Sequence, residues 1–142
     1  MIISMGEALI DFVPEDVSTA RGQPGREADQ GKQAGGPDTG ARAQVRYMPV
    51  PGGSPYNCAI AAGRQGAEVK FLGKISTDFF GDQLVSHLEA NKVGTEFITR
   101  ADNPTTLAFV KKEPGGHARY AFFTNGAADV AFGPQDVPAE LP

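Results

Sequence analysis

The stretch "PGGSPYNCAIAAGRQG", residues 51–66, is the most informative one about the fold, because two bare glycines stand directly before a run of small apolar residues. Ser54 can cap a helix and Pro55 suits a first turn, so we predict a helix that begins near residue 55. Gly52 and Gly53 carry no Cβ, so a ligand could approach the main chain there and meet the free N–H groups of the helix. A plain tight turn into a buried helix is the alternative interpretation.

The composition excludes several classes of protein. The chain has 142 residues, of which 40% are hydrophobic and 21% charged, as expected of one globular domain. A net charge of −4 without a Lys/Arg cluster argues against nucleic acid as a partner. The N-terminus lacks the basic segment of a secretory signal, and no apolar run approaches membrane-spanning length, so we predict a cytoplasmic protein without a membrane partner. Because Cys58 is the single cysteine, an internal disulfide is excluded. Its side chain is predicted to be buried and to fill space in the core.

The hydrophobic pattern predicts alternating strands and helices, and hence an α/β fold. Residues 2–12 read as one buried strand that carries Asp11 near its C-terminal end and stops before Pro14. Thr77 or Asp78 is predicted to cap a second helix. The elements predicted after residue 66 are a strand over 67–76, a helix over 78–94, a short strand over 96–100, a hairpin over 105–126 that turns at "EPGGH", and the start of a helix over 134–142.

Residues 14–47 differ in composition from the rest of the chain. They are rich in glycine, glutamine, alanine and charged residues and have few large apolar side chains, so they cannot bury much surface. We therefore predict a mobile insertion on the protein surface. Within it, "GGPDTGAR" at 35–42 looks faintly like a phosphate loop, but it lacks the preceding strand and the Lys-Ser/Thr pair of a P-loop.

Together these motifs resemble the N-terminal half of the PfkB, or ribokinase-like, family of carbohydrate kinases, over residues 1–13 and 48–142. The resemblance is carried by "GEALID" at 6–11, the glycine-pair stretch, "FLGKISTDFFGDQL" at 71–84 and "NPTTLAFV" before a hairpin that ends in "FFTNGAAD". Within the family, "GEALIDFVP" and "STDFFGDQL" are most similar to bacterial fructokinases. Seven residues match the spacing of one of the two family signatures: Gly52, Gly53, Asn57, Gly63, Gly66, Gly73 and Gly81.

The resemblance implies a ribokinase-like fold, with a central, largely parallel sheet, flanking helices and a β lid, of which residues 1–142 are a partial domain. It implies that Asp11 and Asn57 hydrogen-bond to the hydroxyls of a sugar, while Gly52 and Gly53 let its ring approach the backbone. Solvent exposure at a strand end is the alternative for Asp11, and a structural cap is the alternative for Asn57. Apolar lid positions that match ring contacts, or else plain core positions, are Ala108, Val110 and Phe122.

The resemblance covers only one side of a kinase active site. Phosphoryl transfer also needs a base, an anion hole and a nucleotide site, usually with magnesium. In the family these parts belong to the C-terminal half, which is absent here, so the complete kinase is expected to use ATP and Mg²⁺ while this segment alone binds neither. We therefore assign no catalytic residue and no metal ligand. The two histidines, His87 and His117, are predicted to face solvent.

Two hypotheses about function follow. The chain is either the sugar-binding half of an ATP-dependent carbohydrate kinase or a non-catalytic, truncated binding or interaction module with the same fold. Relatives that phosphorylate sugar acids tend to present an arginine where this chain has Thr124, so the resemblance favours a neutral sugar, such as fructose. A lone half-domain can hardly cover both faces of its apolar lid strands, so we also predict a homodimer through these strands.

Overall fold

The described part of the chain forms two β-sheets and two α-helices. The computed structural model describes residues 1–15 and 45–141. The strands are β1 Ile2–Met5, β2 Leu9–Pro14, β3 Tyr47–Gly52, β4 Val69–Ser76, β5 Val93–Ala101, β6 Thr106–Lys112 and β7 Ala118–Phe123. The helices are α1 Ser54–Arg64 and α2 Phe79–Ala90, and a short 3₁₀ helix covers Pro134–Asp136.

The first sheet, called the parallel sheet, has the strand order β1-β4-β5, and its neighbouring strands run parallel. Its central strand β4 follows α1 and precedes α2, which confirms the predicted alternation of strands and helices. The helices bury their apolar sides against this sheet. The largest side chains of the resulting core include Tyr56, Phe71, Ile75, Leu84 and Leu88.

The second sheet, called the lid sheet, has the strand order β3-β2-β6-β7. Strands β2 and β6 run parallel, whereas β3 and β7 run antiparallel to their neighbours, so the predicted hairpin over 105–126 is confirmed as β6 and β7. Strand β3 was not predicted. Pro49 and Pro51 argue against a strand when the sequence is considered alone. Proline is tolerated, however, in a strand at the edge of a sheet, where β3 lies.

The single strand predicted over residues 2–12 is wrong, because β1 and β2 belong to different sheets. The chain turns at Gly6, whose φ of 143° is in the region that favours glycine. Asp11 consequently lies within β2, opposite Val50 on one side and Ala108 on the other, and not near the end of the first strand. Gly6 and Glu7 interrupt the apolar residues over only two positions, so the hydrophobic pattern alone does not reveal the turn.

The two helices begin close to where the sequence predicts. Helix α1 begins at Ser54, but its N-cap is Gly53 with no side-chain cap, so the predicted capping by Ser54 is wrong. Helix α2 is capped by Asp78, which accepts hydrogen bonds from the N–H of Gly81 at 2.8 Å and from the hydroxyl of Thr105 at 2.7 Å. Burial opposes ionisation of Asp78, but the hydrogen bonds from Thr105 and Gly81 outweigh it and lower its pKa. Helix α2 ends at Ala90, before the predicted Gly94.

Two predictions about single side chains are wrong. Cys58 is exposed, because α1 buries the side that carries Tyr56, Ala59, Ile60 and Gly63. His87 is partly buried, and its Nδ1 lies 2.9 Å from the hydroxyl of Tyr56, which in turn donates to the carbonyl of Leu84. Burial, together with the positive charge of Arg64, lowers the pKa of His87. His117, by contrast, is exposed as predicted.

The insertion predicted over 14–47 begins and ends inside the lid sheet. Pro14 pairs with Tyr47, and the N–H of Glu15 donates to the carbonyl of Arg46 at 2.9 Å. Residues 16–44 of the insertion, including "GGPDTGAR", lie outside the described residues. Of the helices in the described ranges, none is both long and apolar enough to cross a membrane. The helix predicted from residue 134 is a single 3₁₀ turn, which ends at Asp136.

Candidate functional site

A cavity of about 250 Å³, called the Asp11 cavity, lies between β2, the start of α1 and β7. It brings together four of the seven residues proposed from the sequence, namely Asp11, Gly53, Asn57 and Phe122. The other residues that line it are Glu7, Leu9, Ser54 and Tyr120. The structure therefore places residues from distant parts of the sequence around one opening.

Strand register explains why Asp11 and Phe122 meet. Asp11 on β2 is opposite Ala108 on β6, and Ala108 is opposite Phe122 on β7. Side chains of residues that pair across a sheet share one face, so these three side chains form a row. Ala108, in the middle of the row, is fully buried and does not line the cavity. Val110, two residues further along β6, is only 9% exposed and does not line it either. Their proposed contact with a sugar ring stays a prediction.

The two glycines before α1 have different roles in the geometry. Gly52 does not line the cavity, but a Cβ there would overlap Oδ2 of Asp11, so only glycine leaves room for this carboxylate. Gly53 has a φ of 110°, and a Cβ there would lie 2.8 Å from the carbonyl oxygen of Glu7. Asn57 lies one turn into α1, where its own N–H donates to the carbonyl of Gly53 at 2.8 Å. Asn57 is thus inside the helix and is not its N-cap residue.

Sequence reasoning missed four lining residues, and two of them bear on the chemistry. Tyr120 stacks on Phe122, with ring centroids 5.8 Å apart and an angle of 15° between the planes. The alternation of side chains along β7 could have identified Tyr120, since it lies two residues before Phe122. Glu7 accepts a hydrogen bond from the N–H of Ser54 at 3.2 Å, and no local pattern in the sequence predicts this contact.

The Asp11 cavity is electrostatically negative. Its charged side chains are Glu7 and Asp11, and no Lys, Arg or His is among the described residues that line it. Partial burial, followed by the charge of Glu7, raises the pKa of Asp11 above its usual value. The carboxylates and the amide of Asn57 can hydrogen-bond to hydroxyl groups, while the aromatic rings offer an apolar surface. The arrangement suits an uncharged ligand that carries several hydroxyls.

A nucleoside triphosphate does not suit this cavity, because its phosphates would face two carboxylates and no cationic side chain among the described lining residues. Within residues 1–15 and 45–141, no group of three or more His, Cys, Asp or Glu is placed to hold a metal ion. Thr124, the residue used to predict a neutral sugar, lines a second pocket at the start of β6 and the end of β7 and not the Asp11 cavity itself. Phe122 lines both spaces.

Comparison with known proteins extends these observations. A model of pfkB family carbohydrate kinases matches residues 1–140. The chain is 34% identical to fructokinase-2 of Solanum lycopersicum over 99% of its own length, and 33% identical to a fructokinase of Rhizobium leguminosarum bv. trifolii over 97%. It spans only 37% and 35% of these relatives, respectively, so just over a third of each is represented.

Solved structures share the fold. The fructokinase of Xylella fastidiosa superposes with a TM-score of 0.72 and 28% identity, over 96% of this chain and 37% of that one, and its structure is also known with bound ATP. The 2-dehydro-3-deoxygluconokinase of Thermotoga maritima superposes with a TM-score of 0.71 over 96% of this chain and 36% of that one, and at 17% identity it shows the fold alone. The predicted ribokinase-like α/β fold is thereby confirmed.

Proposed function

Because the chain belongs to the pfkB family of carbohydrate kinases, we propose that it is the sugar-binding half of an ATP-dependent kinase acting on a hydroxyl of a neutral hexose, with fructose as the leading candidate. The observation that carries this proposal is the Asp11 cavity, which combines hydroxyl-binding groups with an aromatic surface. Relatives in plants, Rhizobium and Xylella are named as fructokinases, which supports the choice of sugar.

The residues of the cavity have distinct roles in this proposal. The carboxylate of Asp11 accepts hydrogen bonds from two sugar hydroxyls, while the amide of Asn57 both donates and accepts. Phe122 and the stacked ring of Tyr120 cover an apolar face of the sugar. The bare main chain at Gly53 lets the ring approach the first turn of α1, and Gly52 leaves room for Asp11. These roles stay predictions for each residue.

The charge of the cavity supports a neutral substrate over a sugar acid. A carboxylate on the ligand would meet Glu7 and Asp11 without a cationic side chain among the described lining residues. In the complete kinase that we propose, ATP would supply the phosphoryl group, Mg²⁺ would offset the negative charge of its phosphates, and residues outside this segment would hold both. The cytoplasmic location inferred from the sequence stays a prediction.

A non-catalytic, truncated binding or interaction module with the same fold is the second candidate function. The chain spans little more than a third of its relatives, and the described residues that line the Asp11 cavity include hydroxyl-binding groups but no cationic side chain that could bind a phosphate. Both candidates keep the fold and the surface of the Asp11 cavity. They differ in whether phosphate transfer occurs in the natural gene product, so the length and the activity of that product distinguish them.

Replacing Asp11 with alanine is expected to weaken the binding of fructose by about tenfold to more than a hundredfold, because a hydrogen bond to a charged group contributes roughly 1.5–3 kcal/mol. Binding to the 142-residue chain is expected to be no tighter than millimolar, about −4 kcal/mol, since the chain spans only 37% of a fructokinase relative and would contribute only part of the contacts to the sugar. Titration of fructose into the isotope-labelled chain, followed by NMR, measures both affinities.

Glu68→Ala is the matched control for the Asp11 experiment, since Glu68 is an exposed carboxylate outside the cavity. It should leave the affinity unchanged, whereas Asn57→Ala should weaken it as Asp11→Ala does. Wild-type affinity in both Asp11→Ala and Asn57→Ala would remove these residues from the sugar site.

Self-association through the lid sheet is also proposed. Strand β7 lies at the edge of this sheet and exposes three aromatic side chains by more than half: Tyr120, Phe122 and Phe123. Such an edge tends to pair with another chain, so we expect a homodimer by sedimentation velocity at high protein concentration. Phe123→Asp, outside the Asp11 cavity, should shift the equilibrium toward monomer. A wild-type chain that stays monomeric up to millimolar concentration would refute the proposal.

A further inference from the structure

The start of α1 is bound closely to the connection between β1 and β2. The hydroxyl of Ser4 donates to the carbonyl of Pro55 at 2.7 Å, and the N–H of Ser54 donates to Oε1 of Glu7 at 3.2 Å. Ser54 and Glu7 are separated by 47 residues in sequence. Two motifs that are distant along the chain, "GE" and "GGSP", therefore meet in space.

Two glycines permit this close approach. A Cβ on Gly6 would lie 2.8 Å from Cγ of Pro55, and a Cβ on Gly53 would lie 2.8 Å from the carbonyl oxygen of Glu7. Both glycines have positive φ, of 143° and 110°, which other residues adopt only with strain. The backbone at Glu7 is thus packed directly against the backbone at the N-cap of α1.

No residue close in sequence caps the N-terminus of helix α1 with its side chain. Its N-cap residue is a glycine, no side chain caps it there, and its first turn contains no acidic residue. The first N–H groups of a helix need acceptors, and a negative charge near them is favourable. Glu7 supplies both an oxygen and a charge from the β1–β2 connection. It also lines the Asp11 cavity and contributes to the raised pKa of Asp11.

We propose that Glu7 is a positioning residue of the sugar site, which caps α1 from outside the helix and so holds Gly53 and Asn57 in place beside Asp11. The part that concerns sugar affinity rests on the proposed function. The part that concerns capping rests on the contacts between Glu7, Ser54 and Gly53 alone. The role of Glu7 lies in placing groups that touch the sugar.

The test compares Glu7→Ala with Glu7→Gln in the isotope-labelled 142-residue chain. Glu7→Ala removes the acceptor, so we expect faster hydrogen exchange of the Ser54 amide and about tenfold weaker binding of fructose, which is the scale of losing a helix cap. Glu7→Gln keeps an acceptor oxygen, so it should restore most of the Ser54 protection and most of the affinity. Both variants should lower the pKa of Asp11, measured by carbon NMR of its carboxyl, because the charge of Glu7 raises it.

Several results would overturn this inference. Unchanged Ser54 exchange in Glu7→Ala would show that Glu7 does not cap α1. Equal loss of affinity in both variants, with Ser54 exchange unaffected, would show that the Glu7 carboxylate contacts the sugar itself. If the wild-type chain binds no fructose, the proposed function fails. The hydrogen-exchange rate of the Ser54 amide in Glu7→Ala would still show whether Glu7 positions the helix. Glu68→Ala is the control for loss of a surface carboxylate, and thermal unfolding of each variant confirms that it is folded.

Discussion

The purified 142-residue chain is expected to form no fructose phosphate when it is supplied with ATP, Mg²⁺ and fructose. Phosphoryl transfer depends on groups that stabilise the negative charge of the transferring phosphate. The charged residues of the Asp11 cavity are Glu7 and Asp11, both negative, so they would oppose that charge. Loss of a single stabilising donor can cost about 10²–10³ in rate, so a cavity whose described lining offers two carboxylates and no cationic side chain should give a rate below detection.

Mass spectrometry of the sugar products measures this outcome, with a mass-verified chain and a reaction without protein as the blank. Turnover that increases with protein concentration and disappears in Asp11→Ala would contradict the expectation. Such a result would locate a phosphate site outside the described residues, and "GGPDTGAR" at 35–42 would be the first segment to mutate. It would also favour a complete kinase over a partial one.

Replacing Phe71 with alanine is expected to lower the free energy of unfolding by about 3–5 kcal/mol, the scale seen when a buried phenylalanine is truncated. Phe71 lies in the middle of β4 and is fully buried. Its ring contacts Tyr56 of α1 in a T-shaped arrangement with centroids 5.8 Å apart. Gly73 leaves room for this ring, because a Cβ there would lie 2.8 Å from it.

Phe79→Ala is the matched control for the core variant, since Phe79 is a phenylalanine that is 73% exposed. Its substitution should change the free energy of unfolding by about 0.5 kcal/mol or less. Urea denaturation followed by circular dichroism measures both variants, and Phe71→Ala is expected to be largely unfolded even without urea if the wild type is only marginally stable. Equal stability of the two variants would mean that the core does not lie between α1 and β4.

Elements set by local patterns could be predicted from the sequence. The apolar run of β4, the cap of α2 at Asp78 and the hairpin of β6 and β7 depend on residues that are close along the chain, and the structure confirms all three. Turn chemistry and hydrophobic periodicity act over a few residues, so a single sequence contains enough information to detect them.

Features that depend on distant partners could not be predicted in this way. Residues 47–52 form β3 because they pair with β2. The prolines among them argue against a strand in any local sequence pattern. The capping contact between Glu7 and Ser54 joins residues 47 positions apart. The exposure of Cys58 follows from which side of α1 meets the parallel sheet, and the small residues of this helix do not indicate that side.

The chain crosses between its two sheets three times within the described residues, at residues 6–8, at the start of α1 and at residues 102–105. Glu7 and Gly53 of the first two crossings line the Asp11 cavity, and Asp78 ties the third crossing to α2 through Thr105. The cavity therefore lies between two strands of the lid sheet, β2 and β7, and a helix packed on the parallel sheet, α1, so its width depends on how the two sheets are placed relative to each other. A bound molecule that contacts both sides would link the lid sheet to the parallel sheet and so add a non-covalent connection to the three that the chain itself makes.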